Sequence, residues 1–197
     1  MKAAFDGKSI STDDILIIDG KEYGASATLY SLAKKIGLDK ILLSRNEAWV
    51  NCALAMIIGR IVYQGSKLSL SRVTDISHLW DICGIDGEVD VDKHCYEVMD
   101  ELYSSQNRIQ KKLAKKHLKD GSLIFYDITS SYLEGDYEDS DIAAYGYNRD
   151  KKRGKKQIVI GLICTKEGCP VAVEVFSGNT SDKTTVVDKI ALLSGYG

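Results

Sequence analysis

The stretch 123-LIFYDITSSYLEG-135 marks the point where the chain changes its grammar. Before it, apolar residues recur at helical spacing. From it onward they form short continuous or alternating runs, the pattern of strands. Leu123, Ile124, Phe125 and Tyr126 suit a buried strand, and SLIFYDI is predicted as that strand. Asp127 then places a carboxylate at its end, with no adjacent Lys or Arg and a small polar run, Thr129, Ser130 and Ser131, behind it.

Two more strands follow. QIVIGLIC (157–164) is apolar enough to be covered on both faces. TKEG supplies a turn, and PVAVEVFSG (170–178) alternates Ala172, Glu174 and Phe176 against Val171, Val173 and Val175. The short turn makes these last two a hairpin. A helix is predicted next, capped by Ser181 or Asp182, with Val186, Val187, Ile190 and Leu193 on its apolar face.

Working back from Leu123, the text is helical. The longest helix is predicted over about Asp92–Lys119, with Cys95, Val98, Leu102, Ile109 and Leu113 as one stripe. Such a stripe is a buried face or a dimer seam. Its last third, RIQKKLAKKHLK, is basic; cations there suit the helix C-terminus, and contact with DNA is a second use. AWVNCALAMIIGRIV (48–62) is apolar nearly all round and belongs centrally among other helices. It is shorter than the ~20 residues of a membrane span and carries Asn51 and Arg60. TLYSLAKKIGLDKILL puts Leu29, Leu32, Ala33 and Ile36 at helical spacing and ends a helix at Gly37. The Gly and second run resemble part of a helix-turn-helix, but the following helix has no basic reading face. ILIIDGKEYG reads as a strand, a turn at Asp19-Gly20 and a short return. The predicted organisation is a mainly helical region over residues 1–120 and a mixed α/β region over 121–197.

With 44% hydrophobic and 27% charged residues, the 197-residue chain has a globular composition. A net charge of −2 excludes a global basic field, so a nucleic-acid partner must be met by a local patch. Cys52, Cys83, Cys95, Cys164 and Cys169 contain no C-x-x-C and read as reduced thiols of a cytoplasmic protein. Cys164 and Cys169 flank a turn and are placed to face each other across the hairpin. MKAAFDGKSISTDD lacks the apolar core of a signal peptide.

Two chemistries fit Asp127. It caps a turn, accepting amide hydrogens from Thr129 or Ser130. Or a buried strand mounts it, partly desolvated, as a ligand of a hard cation. A two-magnesium site acting on a phosphodiester needs further carboxylates. Glu134, Asp136, Glu138, Asp139 and Asp141 fall in a solvated loop, and Asp182 is explained by capping. The stretch 145-YGYNRDKKRGKKQ-157 holds six basic residues among the eight from Arg149 to Lys156. Tyr147, Arg149, Lys151, Lys152, Arg153, Lys155 and Lys156 are the candidate DNA contacts: cations for phosphates, Tyr for stacking or backbone bonding. The alternative is a solvated loop leading into a strand.

LIFYDITSSYLEG, GYNRDKKRGKKQIVIGLI, GCPVAVEVFSGNTSDKTTV and MIIGRIVYQGSKLS together resemble the DDE transposases of bacterial insertion sequences, with a ribonuclease H-like catalytic domain. The resemblance covers roughly residues 50–197; Asn148 stands where relatives more often have Ser. It implies an α+β chain: an all-helical N-terminal region, then an incomplete ribonuclease H-like domain of three antiparallel strands and a helix. It implies that Asp127 is the first of three acids, Asp, Asp and Glu, holding magnesium or manganese. The family cleaves DNA at inverted-repeat ends, and the freed 3′-hydroxyl attacks target DNA. The second Asp and the Glu are expected beyond Gly197, so the chain reads as an N-terminal fragment, inactive alone, with its Asp127 strand at an exposed edge. DNA, a homodimer partner, no membrane and a bacterial nucleoid location follow as expectations. The alternatives are a DNA-binding or dimerising remnant that inhibits transposition, a stand-alone nuclease, and a structural α/β protein whose Asp127 is a cap.

Overall fold

The computed structural model describes residues 20–43, 48–119, 121, 123–146 and 154–181. Helices and one three-stranded antiparallel sheet make the chain α+β. The first expected strand, with Asp19 of its turn, and the last helix after Asp182 lie outside the described residues; the expected short return is a single parallel bridge of Glu22 with Ser77. None of the described helices is long and apolar enough to cross a membrane.

The chain divides into two compact units between Ser104 and Ser105. In the first, α1 (Gly24–Ile36) ends at Gly37, whose left-handed φ of 76° lets its N–H reach the carbonyls of Ala33 and Lys34. The short α2 (Leu38–Leu42) follows. Ala33 is buried as the spacing predicts, but Leu32 and Ile36 are exposed and Ser26 is buried instead. The cause is local: the Ser26 hydroxyl and amide turn inward to the Glu22 carboxylate, which fixes the rotation of the helix. Helix α3 (Ala48–Val62) is the centre of the unit, buried from Trp49 to Gly59 on most of its circumference. Next come α4 (Lys67–Ser71), a 3-10 turn (Val73–Asp75) and α5 (Leu79–Ile82). Trp80 buries its ring there and donates its indole N–H to the Leu70 carbonyl at 3.0 Å.

The long helix predicted over Asp92–Lys119 is not continuous. A π-helical turn (Asp92–Tyr96) leads into α6 (Glu97–Ser104), the ladder breaks at Ser105, and α7 (Gln106–His117) begins. Adjacent serines favour such a break because their hydroxyls compete for backbone groups. The expected stripe accordingly serves two cores. Cys95 and Val98 are buried in the first unit, whereas Leu113 packs on the sheet of the second. The division therefore falls at Ser104/Ser105 and not near residue 120, because α7 belongs with the strands.

In the second unit β1 (Ile124–Tyr132), β2 (Gln157–Thr165) and β3 (Pro170–Ser177) lie in the order β1-β2-β3. The inner face carries Ile124, Tyr126, Val159, Gly161, Ile163 and Ala172, and α7 packs there through Leu113, with Leu118 beyond it. Gly161 is required at its position: an added Cβ would stand 2.5 Å from the Tyr126 hydroxyl, whose ring leans across it. A bulge at Ile163/Cys164 shifts the register of β3, so that Val171 is buried together with Ala172. The outer face of β2 is not covered as predicted: Leu162 is exposed and Ile158, Ile160 and Cys164 are half-buried. The bulge also pairs Cys164 with Pro170, so Cys164 and Cys169 are not cross-strand partners, and all five thiols are free.

Helix α7 also reaches strand β3. Gln106 and Gln110 both donate side-chain N–H groups to the Val173 carbonyl, at 2.8 and 2.9 Å. A carbonyl has two lone pairs, so two side-chain donors saturate it and withdraw it from ladder pairing.

Candidate functional site

Strand β1 continues five residues past Asp127, to Tyr132. Asp127 is therefore inside the ladder, opposite Leu162, and no turn exists at Thr129 or Ser130 for it to cap. The polar run keeps strand geometry because Thr129, Ser130 and Ser131 pair with Ile160, Val159 and Ile158. The expectation of a partly desolvated carboxylate is also overturned. Asp127 is exposed, on the outer face with Phe125, Thr129 and Ser131. Among the described residues β1 pairs only with β2, so its other flank is a sheet edge.

The basic stretch is rooted firmly. Ala144 and Gln157 exchange both backbone hydrogen bonds, at 3.1 and 2.9 Å, which closes the loop between them at its base. The Gln157 side chain is buried there and donates to the Gly178 carbonyl at 2.8 Å; Gly178 in turn donates its N–H to Ile142 at 3.0 Å. Backbone crowds this point so closely that a Cβ on Gly178 would lie 2.0 Å from the Gln157 carbonyl oxygen. Of the candidate DNA contacts, Tyr147, Arg149, Lys151, Lys152 and Arg153 lie outside the described residues. Lys155 forms an ion pair with Glu134, and Lys156 donates to the Tyr137 carbonyl at 3.0 Å. These two lysines tie the acidic loop to the root of the basic one. Glu134, Asp136, Glu138, Asp139 and Asp141 are all exposed, as predicted for a solvated loop; Asp182 lies outside the described residues.

Asp127 supplies one carboxylate. Among the described residues no group of three His, Cys, Asp or Glu side chains is arranged to hold a metal ion. The described residues therefore do not by themselves fit magnesium or manganese, and no metal-dependent step is derived from them.

Three features were not foreseen from the sequence. Glu22 accepts hydrogen bonds from the Ser26, Tyr63 and Ser77 hydroxyls at 2.7, 3.1 and 3.2 Å, and from the Ala25 amide at 2.7 Å. Led by the Ser26 hydroxyl, these donors hold its carboxyl down at about 2. A cavity of about 380 Å³ opens in the helical unit beside Trp49, Asn51, Lys93, His94 and Glu97. Cys52 lies on its wall, but burial raises its thiol, and pushes Cys83 to about 12 and Cys95 to about 11. Such thiols are poor nucleophiles at neutral pH. The helical periodicity of this region signals burial, not which polar groups meet inside it.

Comparison with protein-family models, with curated proteins and with solved structures returns no match.

Proposed function

We propose that this chain is the N-terminal part of a DDE-type transposase of a bacterial insertion sequence, with Asp127 as the first acid of a ribonuclease H-like catalytic domain. The observation that carries the reading is the setting of Asp127. Among the described residues this carboxylate stands inside a regular ladder, exposed on an edge strand, with no capping duty and an open flank. Further strands adding to β1 would bring their own carboxylates beside it. The resemblance of the four quoted motifs points the same way. On this reading the complete protein cleaves DNA at inverted-repeat ends and joins the 3′-hydroxyl to target DNA. These 197 residues would lack two of the three acids and be inactive alone.

The test begins with the DNA downstream of the Gly197 codon. A frame continuing to a strand that ends in Asp, and later to a helix with Glu, is expected. In that longer product Asp127→Asn should abolish magnesium-dependent cleavage of inverted-repeat DNA and leave DNA affinity intact. Cleavage by the Asn variant would overturn the assignment. A second reading, a remnant that binds DNA or dimerises and inhibits transposition, is favoured by the rooted basic loop. It predicts salt-dependent DNA binding by the 197-residue chain with a stop codon after Gly197.

A further inference from the structure

We infer that the outer face of α7 is a second docking surface for duplex DNA, engaging the phosphate backbone through Lys111, Lys112, Lys115 and Lys116. The choice of DNA over RNA rests on the transposase reading; the surface itself is argued from the helix.

These four lysines are exposed and stand as two i,i+4 pairs, each about 6 Å apart along the axis. No acidic residue occurs from Leu102 to Lys119, in a protein whose net charge is −2. Positive charge is thus locally concentrated along this helix, apart from the basic stretch at 149–156. The helix is also held in place. Gln106 and Gln110 bond it to the Val173 carbonyl, and Leu113 packs beside Ile163, Val171 and Ala172. The helix backbone is thus preorganised, and only the lysine side chains remain to be ordered on a regular row of phosphates.

Competing occupants fit less well. A basic amphipathic helix binds a membrane by sinking its apolar face among the lipids. In α7 that face is spent: Gln110 and Ala114 are buried, and Leu113 is packed against the sheet. Single strands are captured by aromatic stacking as well as charge. The sequence of α7, QNRIQKKLAKKH, has no Phe, Tyr or Trp. A surface of lysines without stacking groups positions a duplex by its backbone and reads no sequence.

The test is fluorescence anisotropy of the 197-residue chain with a labelled random-sequence duplex of about 20 bp, over a range of KCl. Four phosphate contacts give a slope of about −3.6 in log K against log salt, or about 150-fold between about 50 and 200 mM. The variant carrying Lys→Gln at 111, 112, 115 and 116 should lose at least about 2 from the magnitude of the slope. A smaller loss overturns the proposal. Far-UV circular dichroism checks folding, and Lys112→Gln with Lys116→Gln, expected to lose at least about 1, serves if the fourfold variant does not fold. Tighter binding to phosphatidylserine vesicles or polyglutamate than to the duplex also overturns it. If Lys151→Gln, Lys152→Gln and Arg153→Gln together remove all binding while the α7 variant retains it, the α7 surface fails and the transposase reading stands. Absence of duplex binding by the unmodified chain at about 50 mM KCl sinks both.

Discussion

Replacing Glu22 by Gln should destabilise the helical unit, and the loss should vanish in acid. The Glu22 carboxyl titrates at about 2 in the folded chain against an ordinary 4.5. That difference, at 1.36 kcal/mol per unit, sets an upper bound of about 3 kcal/mol on what ionisation contributes. The sign follows from proton binding. Below 4.5 the unfolded chain takes up a proton that the folded chain refuses. The contribution is therefore complete above the unfolded value and is lost as pH falls from about 5 towards 2. Gln keeps the shape but cannot accept all five donors with both terminal atoms, and its NH₂ opposes hydroxyls that the carboxylate had satisfied. The assay is urea unfolding followed by tryptophan fluorescence from about pH 7 down to about 2.5. Both tryptophans, Trp49 and Trp80, are buried in the helical unit, so the signal reports the region that Glu22 ties together. Subtracting the variant from the unmodified chain cancels the other carboxylates. Solvent screening at this partly exposed site brings the expected difference below that bound, to about 1–2 kcal/mol at neutral pH, and it should shrink steadily in acid. A difference that is constant across that range, or absent at pH 7, would refute the reasoning.

Other predictions concern the sheet and the thiols. Among the described residues the buried Tyr126 hydroxyl has no hydrogen-bond partner, so Tyr126→Phe should be neutral or stabilise by up to about 1 kcal/mol in urea unfolding. Gly161→Ala drives a methyl into the Tyr126 ring and should cost about 1–3 kcal/mol by the same measurement. Gly178→Ala meets rigid backbone and should loosen the loop base, seen as faster amide exchange at Ala144 and Gln157. Cys52, Cys83 and Cys95 should react with a thiol reagent only on unfolding, while half-buried Cys164 and Cys169 react in the folded chain.

The main helices and the three strands were legible because periodicity is a local property, whereas the π-helical and 3-10 turns were not. The sheet's three strands, the TKEG turn and the Gly37 stop all carry their causes within a few residues. What escaped was set by polar contacts, some local and some distant, that apolar spacing does not encode. Leu32 and Ile36 match an apolar helix face, but Glu22 rotates α1 towards Ser26 instead. The break at Ser105 depends on α7 finding β3, which no helical spacing encodes. Asp127 looked like a strand end because Thr129, Ser130 and Ser131 have turn chemistry; pairing with β2 overrode it. The candidate site was legible as residues and not as a place, since burial and edge position depend on strand order.

The two borders of the sheet are unlike. On the β3 side, two glutamine amides occupy the Val173 carbonyl and helix α7 stands in the way. On the β1 side, among the described residues, the ladder ends at β1. The sheet is therefore freer to pair at β1 than at Val173 of β3. If two copies meet through β1, each consumes the other's open border and presents a closed one outside. Such an association uses up the border that pairs most readily and leaves outside it the one whose Val173 carbonyl is already taken, which disfavours growth into a fibre.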